Sequence, residues 1–269
     1  MRRFLALVTT AAMTLSLTQT GHGASAIVIP DRTNYTAGQF LSYSSPYNAA
    51  GTACAVGSTC GDLIRIPAVG YPNGTTASWT WPKLGCGASG GGLCGYVGQV
   101  TYGNYDSGVP KVAVTPVQVA AMHNFIEQIQ LSSVTGSSSD FNILNEFYLT
   151  SVRGNAATKV AEIGFFENLS DMGQLYFASG TPCESYTDLN RHVWACRYQQ
   201  GGSSGAYFMY YSGARVLSAT LDFKAVINSL LSQHRLSSAG LWVNGVAVGI
   251  EPMRNSGSYT VSKFSITLN

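Results

Sequence analysis

The sequence predicts an all-β fold, a sandwich of two antiparallel sheets with one packed α-helix. Apolar and polar residues alternate in short runs that turn residues interrupt, which is typical of antiparallel strands. The chain has 269 residues, and its 30 glycines and 15 tyrosines fit such a fold. No strand–helix unit repeats along it, so the strands are expected to form two sheets that pack face to face.

The first 26 residues have the pattern of a secretory signal peptide. Arg2 and Arg3 precede an apolar centre over residues 4–17, and small residues follow at 24–26. The apolar run is too short to span a membrane and is followed by a small-residue cleavage site. We therefore expect a signal peptide over 1–26, a single β-sandwich domain over 27–269, and a secreted protein with no membrane attachment after the signal is removed.

The charge balance argues against nucleic acid as a partner. Only 10% of the residues are charged, and without the signal peptide thirteen basic residues face thirteen acidic ones. A neutral chain with no cluster of lysines and arginines lacks the electrostatic footprint of a nucleic-acid binder. A monomer is expected.

Six cysteines are grouped in three close pairs, which predicts local disulfides in an exported protein. Spacing alone does not fix their connectivity. No CxxC motif occurs and the four histidines are scattered, so neither a metal nor an organic cofactor is expected. The pairs are Cys54/Cys60, Cys86/Cys94 and Cys183/Cys196.

Ten segments have the strand pattern: 77–81, 98–102, 126–134, 141–150, 159–166, 174–178, 192–198, 206–212, 241–250 and 258–268. Residues 221–234 break this pattern, because their apolar side chains recur at spacings of three and four and form one helical face. A second segment starts with Thr115 and Pro116, which is a helix start signal, but its apolar residues form no single stripe.

Three carboxylates interrupt apolar strands: Glu146, Glu162 and Glu251. Because side chains alternate between the faces of a strand, each glutamate shares its face with glycines or aromatic rings. Two carboxyl groups that face each other across a cleft are the minimum equipment for glycoside hydrolysis, in which one donates a proton and the other attacks or activates water. The alternative is a structural role, with Lys159 and Arg254 available as ion-pair partners.

Residues 222–269 resemble the C-terminal part of glycoside hydrolase family 12, whose members are secreted endoglucanases and xyloglucanases. VGIEPM and SKFSI match the family's acid/base strand and final strand, so the resemblance gives Glu251 the acid/base role. TKVAEIGFF matches the nucleophile strand at Glu162, and NEFYLT places Glu146 where the family has the residue that supports the nucleophile. The order of these elements agrees over residues 141–269.

This resemblance implies a β-jelly-roll sandwich with a single packed helix over about 221–234. It also implies a secreted, endo-acting β-glycosidase that hydrolyses a plant-type or microbial polysaccharide, most naturally β-1,4-glucan or xyloglucan, by a retaining two-glutamate mechanism. Such a mechanism places the two carboxyl groups about 5–5.5 Å apart. The candidate substrate-binding residues are Phe166, Trp79, Trp81, Tyr148 and Met253.

The sequence also departs from the family pattern. Phe166 stands where the nucleophile motif ends in tryptophan, and Gly164 stands where it has methionine. Tyr43 or Tyr47 is the candidate replacement for the family's cleft tryptophan, and the cysteine-clipped insertions are foreign to the typical member. An alternative is therefore a non-catalytic carbohydrate-binding or host-interaction protein on the same sandwich. A related jelly-roll xylanase is a third hypothesis, with poorer motif matches.

Overall fold

Two β-sheets face each other in the computed structural model, which describes residues 25–30, 33–45, 61–86, 92–105, 112–201, 205–237 and 240–269. The predicted all-β sandwich is confirmed. The predicted signal peptide up to residue 24, the Cys54/Cys60 pair and Tyr47 lie outside the described residues.

Within the described ranges, the smaller sheet has six strands, which lie side by side in the order β1 (Ile27–Pro30), β4 (Gly61–Ile66), β5 (Thr75–Trp81), β17 (Asn255–Leu268), β8 (Phe125–Thr135) and β14 (Ser218–Asp222). The larger sheet has the order β11 (Thr181–Thr187), β12 (Val193–Gln200), β13 (Ala206–Tyr211), β10 (Lys159–Asn168), β9 (Phe141–Thr150), β16 (Gly245–Pro252), β6 (Tyr96–Gly103), β3 (Phe40–Ser45) and β2 (Asn34–Ala37). The short strands β7 (Val117–Gln118) and β15 (Trp242–Val243) pair with each other, and β15 also pairs with β9.

The main core lies between the sheets and is filled by every second residue of the central strands. The predicted helix is confirmed as α2 (Phe223–Ser232), which is capped by Asp222: its Oδ1 accepts a hydrogen bond of 3.0 Å from the backbone N of Ala225. Phe223 packs its ring against Phe125 and Phe147, both at 4.9 Å between centroids. Burial of each such aromatic ring stabilises the fold by about 2–3 kcal/mol, so α2 is anchored firmly to the sandwich.

A second helix, α1 (Asp171–Ser179), forms where the sequence pattern predicts a strand over 174–178, and that strand prediction is wrong. Ser170 starts the helix, because its side chain accepts a hydrogen bond of 3.0 Å from the backbone N of Gly173. The start signal at Thr115 and Pro116 is also misleading. It leads into β7 and a single 3₁₀ turn over Val119–Ala121 rather than into an α-helix.

Two of the three predicted disulfides are confirmed, Cys86–Cys94 and Cys183–Cys196. The second joins directly opposed positions of the neighbouring strands β11 and β12. Among the described residues, no helix has the length and apolar character that a membrane crossing needs.

Candidate active site

The three glutamates project from one face of the larger sheet, around its central strand β9. Glu146 belongs to β9 itself, Glu162 lies opposite Tyr148 on the neighbouring strand β10, and Glu251 lies opposite Asn142 on the other neighbour, β16. Positions 142, 146 and 148 of β9 share a face because side chains alternate along a strand. The register therefore brings together the three carboxylates that the sequence singles out, and Glu146 lies between the other two.

These carboxylates line a single cavity, here called the glutamate cavity, together with tyrosines from several elements. Tyr148, a predicted substrate-binding residue, belongs to its wall, and so does Tyr43, a candidate replacement for the family's cleft tryptophan. The remaining residues of the wall are Ser45, Tyr96 and Tyr105.

Glycines under the cavity make room for these tyrosines. A Cβ on Gly249 would lie 2.5 Å from the ring of Tyr96, and a Cβ on Gly98 would lie 2.2 Å from the ring of Tyr43. Both distances are far below van der Waals contact, so neither position tolerates a side chain. The space above these glycines is therefore filled by the protein's own aromatic rings.

Glu162 is held by its neighbours on both sides. Its carboxylate forms an ion pair with the Lys159 ammonium, which lies 4.2 Å from the centre of the Tyr148 ring. Glu146 is hydrogen-bonded to Glu162, and the Tyr207 hydroxyl donates to Glu146 at 3.4 Å. Burial and then the charge of Glu162 raise the pKa of Glu146 well above its ordinary value. A raised pKa favours the protonated form of Glu146, in which its carboxyl group can donate a hydrogen bond to the Glu162 carboxylate.

Glu251 has the properties of a proton donor. Burial raises its pKa from the ordinary 4.5 to about 7, the charge of Glu162 adds to this rise, and a hydrogen bond from Asn142 opposes it. In that bond Asn142 Nδ2 donates to Glu251 Oε2 at 2.8 Å. A carboxyl group with a pKa near neutrality can both give and take a proton during a reaction.

The two ion pairs considered from sequence have different outcomes. Lys159 does pair with Glu162, as described above. Arg254 instead turns away from Glu251: its Nε donates to Asp140 at 2.7 Å, and its Nη2 lies 3.5 Å from Asp171 at the start of α1. Arg254 therefore does not form the alternative ion pair with Glu251 and leaves that group free to act as an acid.

Trp79 and Trp81 require a correction, since both belong to β5 of the smaller sheet and lie in the core between the sheets. Trp79 packs against Phe141 at 4.8 Å, and the indole Nε1 of Trp81 donates to Asp62 at 2.9 Å. Their side chains are 3% and 4% exposed, so neither can stack on a sugar. They serve the sandwich core instead.

A second cavity, here called the apolar cavity, opens between α1 and the same face of the larger sheet. Phe166 and Met253, both predicted to bind substrate, line it rather than the glutamate cavity. Residues 174–178, for which the sequence pattern predicts a strand, belong to α1, so the pattern did not predict that a helix lines this cavity. The other residues of the wall are Leu93, Asn142, Leu169, Met172, Gly173, Tyr176, Tyr207, Met209 and Glu251.

Gly164 explains how Tyr207 reaches the site. A Cβ at position 164 would lie 2.9 Å from the Tyr207 hydroxyl, so a larger side chain would displace that ring. In the sequence, glycine in place of the family's methionine at position 164 indicates that another side chain approaches closely. The sequence does not indicate that this side chain is Tyr207 of β13.

No protein-family model matches the chain, and no curated protein matches it in sequence. Solved structures do match it in fold. Endoglucanase 3 of Trichoderma harzianum, from family GH12, has a TM-score of 0.72 at 15% identity, with 93% of this chain and 100% of that chain covered. The family 12 xyloglucanase of Bacillus licheniformis, in complex with ligand, has a TM-score of 0.69 at 16% identity over 91% of this chain and 100% of that chain.

The catalytic domain of Humicola grisea Cel12A has a TM-score of 0.70 at 11% identity, with 90% of this chain and 99% of that chain covered. The protein therefore has the β-jelly-roll fold of the family 12 glycoside hydrolases. At these identities the similarity concerns the fold, and a fold alone does not determine the chemistry of a site.

Proposed function

We propose that the protein is a secreted retaining β-glycosidase in which Glu162 is the nucleophile and Glu251 is the acid/base. The observation that carries this proposal is the single cavity that both glutamates line, with Glu251 near neutrality in pKa and Glu162 ion-paired with Lys159. A retaining glycosidase needs this division between one protonated carboxyl group and one carboxylate.

In the first step, Glu251 protonates the glycosidic oxygen while the Glu162 carboxylate attacks the anomeric carbon. In the second step, the Glu251 carboxylate takes a proton from water, which displaces Glu162 from the sugar. Glu146 acts through Glu162 as a positioning residue, because it is hydrogen-bonded to that carboxylate. The Tyr207 hydroxyl in turn holds Glu146.

We infer that the substrate is a polysaccharide cut within the chain, with β-1,4-glucan or xyloglucan as the first candidates. The fold shared with an endoglucanase and a xyloglucanase supports this choice. The two disulfides support an oxidising, extracellular location. Two carboxyl groups accomplish this chemistry without a cofactor, and we expect a monomer.

The test is a panel of β-glucan, xyloglucan, xylan and mannan with the wild type, Glu162→Gln and Glu251→Gln. Both variants should lose hydrolysis while remaining folded. Glu184→Gln is the matched control, because Glu184 lies exposed on β11 and should leave activity unchanged. Proton NMR during turnover should show the β-anomer first. Initial release of the α-anomer would overturn the retaining mechanism, and full activity of Glu162→Gln would overturn the nucleophile.

The departure from the family's nucleophile motif at Gly164 and Phe166 favours a second candidate function, carbohydrate binding without turnover. In that case the cavity would hold a sugar but not cleave it. Binding to one polysaccharide of the panel with no release of reducing ends from any of them would select this function over hydrolysis.

A further inference from the structure

The two cavities on the cleft face of the larger sheet meet at one residue. Among the residues that line them, Glu251 alone belongs to both. Glu162 and its partner Glu146 line only the glutamate cavity, whereas the apolar cavity contains neither. Glu251 therefore stands at the boundary between two binding spaces of different chemistry.

The roles of the two glutamates in a retaining mechanism indicate which part of the substrate each cavity would hold. The nucleophile contacts only the sugar that it attacks, while the acid must reach the oxygen that joins this sugar to the leaving group. The cavity with both Glu162 and Glu251 is thus the space for the attacked sugar. The cavity with Glu251 alone is the space for the leaving group.

The leaving-group space is poorly suited to a bare sugar. Its walls are mainly apolar, with three methionines, two leucines and Phe166. Its polar side chains are Asn142, Tyr176, Tyr207 and Glu251. Three of these four already have partners in the protein: Asn142 binds Ser170 and Glu251, and Tyr207 binds Glu146. Sugar hydroxyls placed here would lose hydrogen bonds to water and gain few in return.

Contacts within the protein hold the α1 wall of the apolar cavity in position. Asn142 Oδ1 accepts a hydrogen bond of 2.8 Å from the backbone N of Ser170, which fixes the start of α1 against β9. A Cβ on Gly173 would lie 2.5 Å from Asn142 Oδ1, so the helix approaches this closely only because residue 173 is glycine. Beneath it, Leu144, Phe166, Leu169 and Met209 form an apolar cluster separate from the core between the sheets.

We propose that the apolar cavity binds an apolar alkyl, aryl or acyl substituent of the leaving group, so that the preferred polysaccharide carries such a substituent on the sugar that follows the scissile bond. The inference rests on the proposed function, because it uses the division of roles between Glu162 and Glu251. Preformed apolar pockets with a few fixed polar groups are the usual sites for such ligands.

Glycosyl transfer measures this site directly, because an acceptor alcohol occupies the leaving-group space when it attacks the glycosyl-enzyme. The acceptor's O–H proton passes to the Glu251 carboxylate, its oxygen bonds to the anomeric carbon, and the bond from that carbon to Glu162 breaks. Water does the same in hydrolysis. The ratio of transfer to hydrolysis thus reports how well each acceptor fills the apolar cavity.

The experiment supplies cellotetraose as the donor and hexanol, benzyl alcohol, 6-O-acetylglucose, methanol or glucose as the acceptor at equal concentration. Transfer to hexanol should exceed transfer to methanol and to glucose at least about tenfold, since burial of two methylenes alone accounts for such a ratio. Benzyl alcohol and 6-O-acetylglucose distinguish an aryl from an acyl substituent, and preference for either over glucose supports the proposal.

Two variants on one helix test the location of the site. Met172→Gln places an amide in the cavity wall and should lower the hexanol-to-glucose ratio several-fold. Leu175→Gln, on the same helix but 74% exposed and outside the cavity, should leave it unchanged. Normal hydrolysis with no preference for apolar acceptors, or an equal effect of both variants, overturns this proposal alone. Absence of turnover with every donor of the panel overturns the proposed function as well.

Discussion

Replacing the candidate acid Glu251 by glutamine should make the protein more stable at alkaline pH while it abolishes hydrolysis. In the folded protein the pKa of Glu251 is raised from 4.5 to about 7, mainly by burial. Between these values the folded state keeps a proton that the unfolded chain has released, so stability falls as pH rises. Glutamine cannot ionise, and its amide oxygen can still accept the hydrogen bond from Asn142.

The size of the effect follows from the pKa difference. A rise from 4.5 to about 7 corresponds to about 3 kcal/mol at ~1.4 kcal/mol for each unit. This contribution to stability is fully present below pH 4.5 and is lost as pH rises through 7. From pH 5 to pH 8, the advantage of Glu251→Gln over the wild type should therefore grow by about 2–3 kcal/mol.

Urea unfolding at pH 5 and pH 8 measures this advantage as a difference in the free energy of unfolding. Glu184→Gln is the control, because Glu184 is exposed on β11 and should show no comparable change between the two pH values. An advantage of Glu251→Gln that is absent, or equal at both pH values, would refute the claim that burial raises the pKa of Glu251. Such a gain is expected where a site is kept for function rather than stability.

Three further predictions concern other parts of the molecule. The value of kcat/KM should fall above about pH 7 as Glu251 loses its proton. Asn142→Ala should move this fall to higher pH, because the hydrogen bond that it removes lowers the pKa of Glu251 in the wild type; an unchanged or lower midpoint would contradict this. Gly164→Met should displace Tyr207 from Glu146 and lower kcat at least about tenfold while leaving KM unchanged. Tyr207→Phe, with Gly164 retained, should lower kcat by a smaller factor. Equal kcat for Gly164→Met and the wild type would refute the role of Tyr207. Glu127→Gln should raise the melting temperature more at pH 8 than at pH 5, because burial raises the pKa of Glu127 well above its ordinary value and neither carboxyl oxygen has a hydrogen-bond partner among the described residues; a gain independent of pH would contradict this.

Strand alternation was enough to predict which face of its strand each glutamate occupies. The predicted strand over 141–150 matches β9 at both ends, and alternation along it correctly groups Glu146 with Tyr148. Alternation cannot say which of two sheets a strand joins, or whether an inward face meets the core or a cleft. Trp79 and Trp81 show this limit, because they alternate correctly but face the core from the other sheet.

The wrong prediction of a strand at α1 has a different cause. This helix has nine residues, and Leu175 and Tyr176 remain at least half exposed, so it lacks the apolar stripe by which helices are recognised in sequence. What holds it is long-range: Asn142 of β9 binds its first turn, and Arg254 after β16 reaches Asp171. Contacts between residues this far apart in the chain depend on the finished fold, and the sequence pattern carries no trace of them.

Glu251 and Glu127 show that a raised pKa alone does not make a carboxyl group catalytic. Burial raises the pKa of both carboxyl groups. Glu127 is fully buried on β8, where it faces the core between the sheets, and no substrate can reach it. Glu251 has the same physical reason to hold a proton, but it lines two cavities and lies within the influence of a second carboxylate, Glu162. A raised pKa becomes a catalytic property only where a bond can be brought to the proton, and of these two residues Glu251 alone meets that condition.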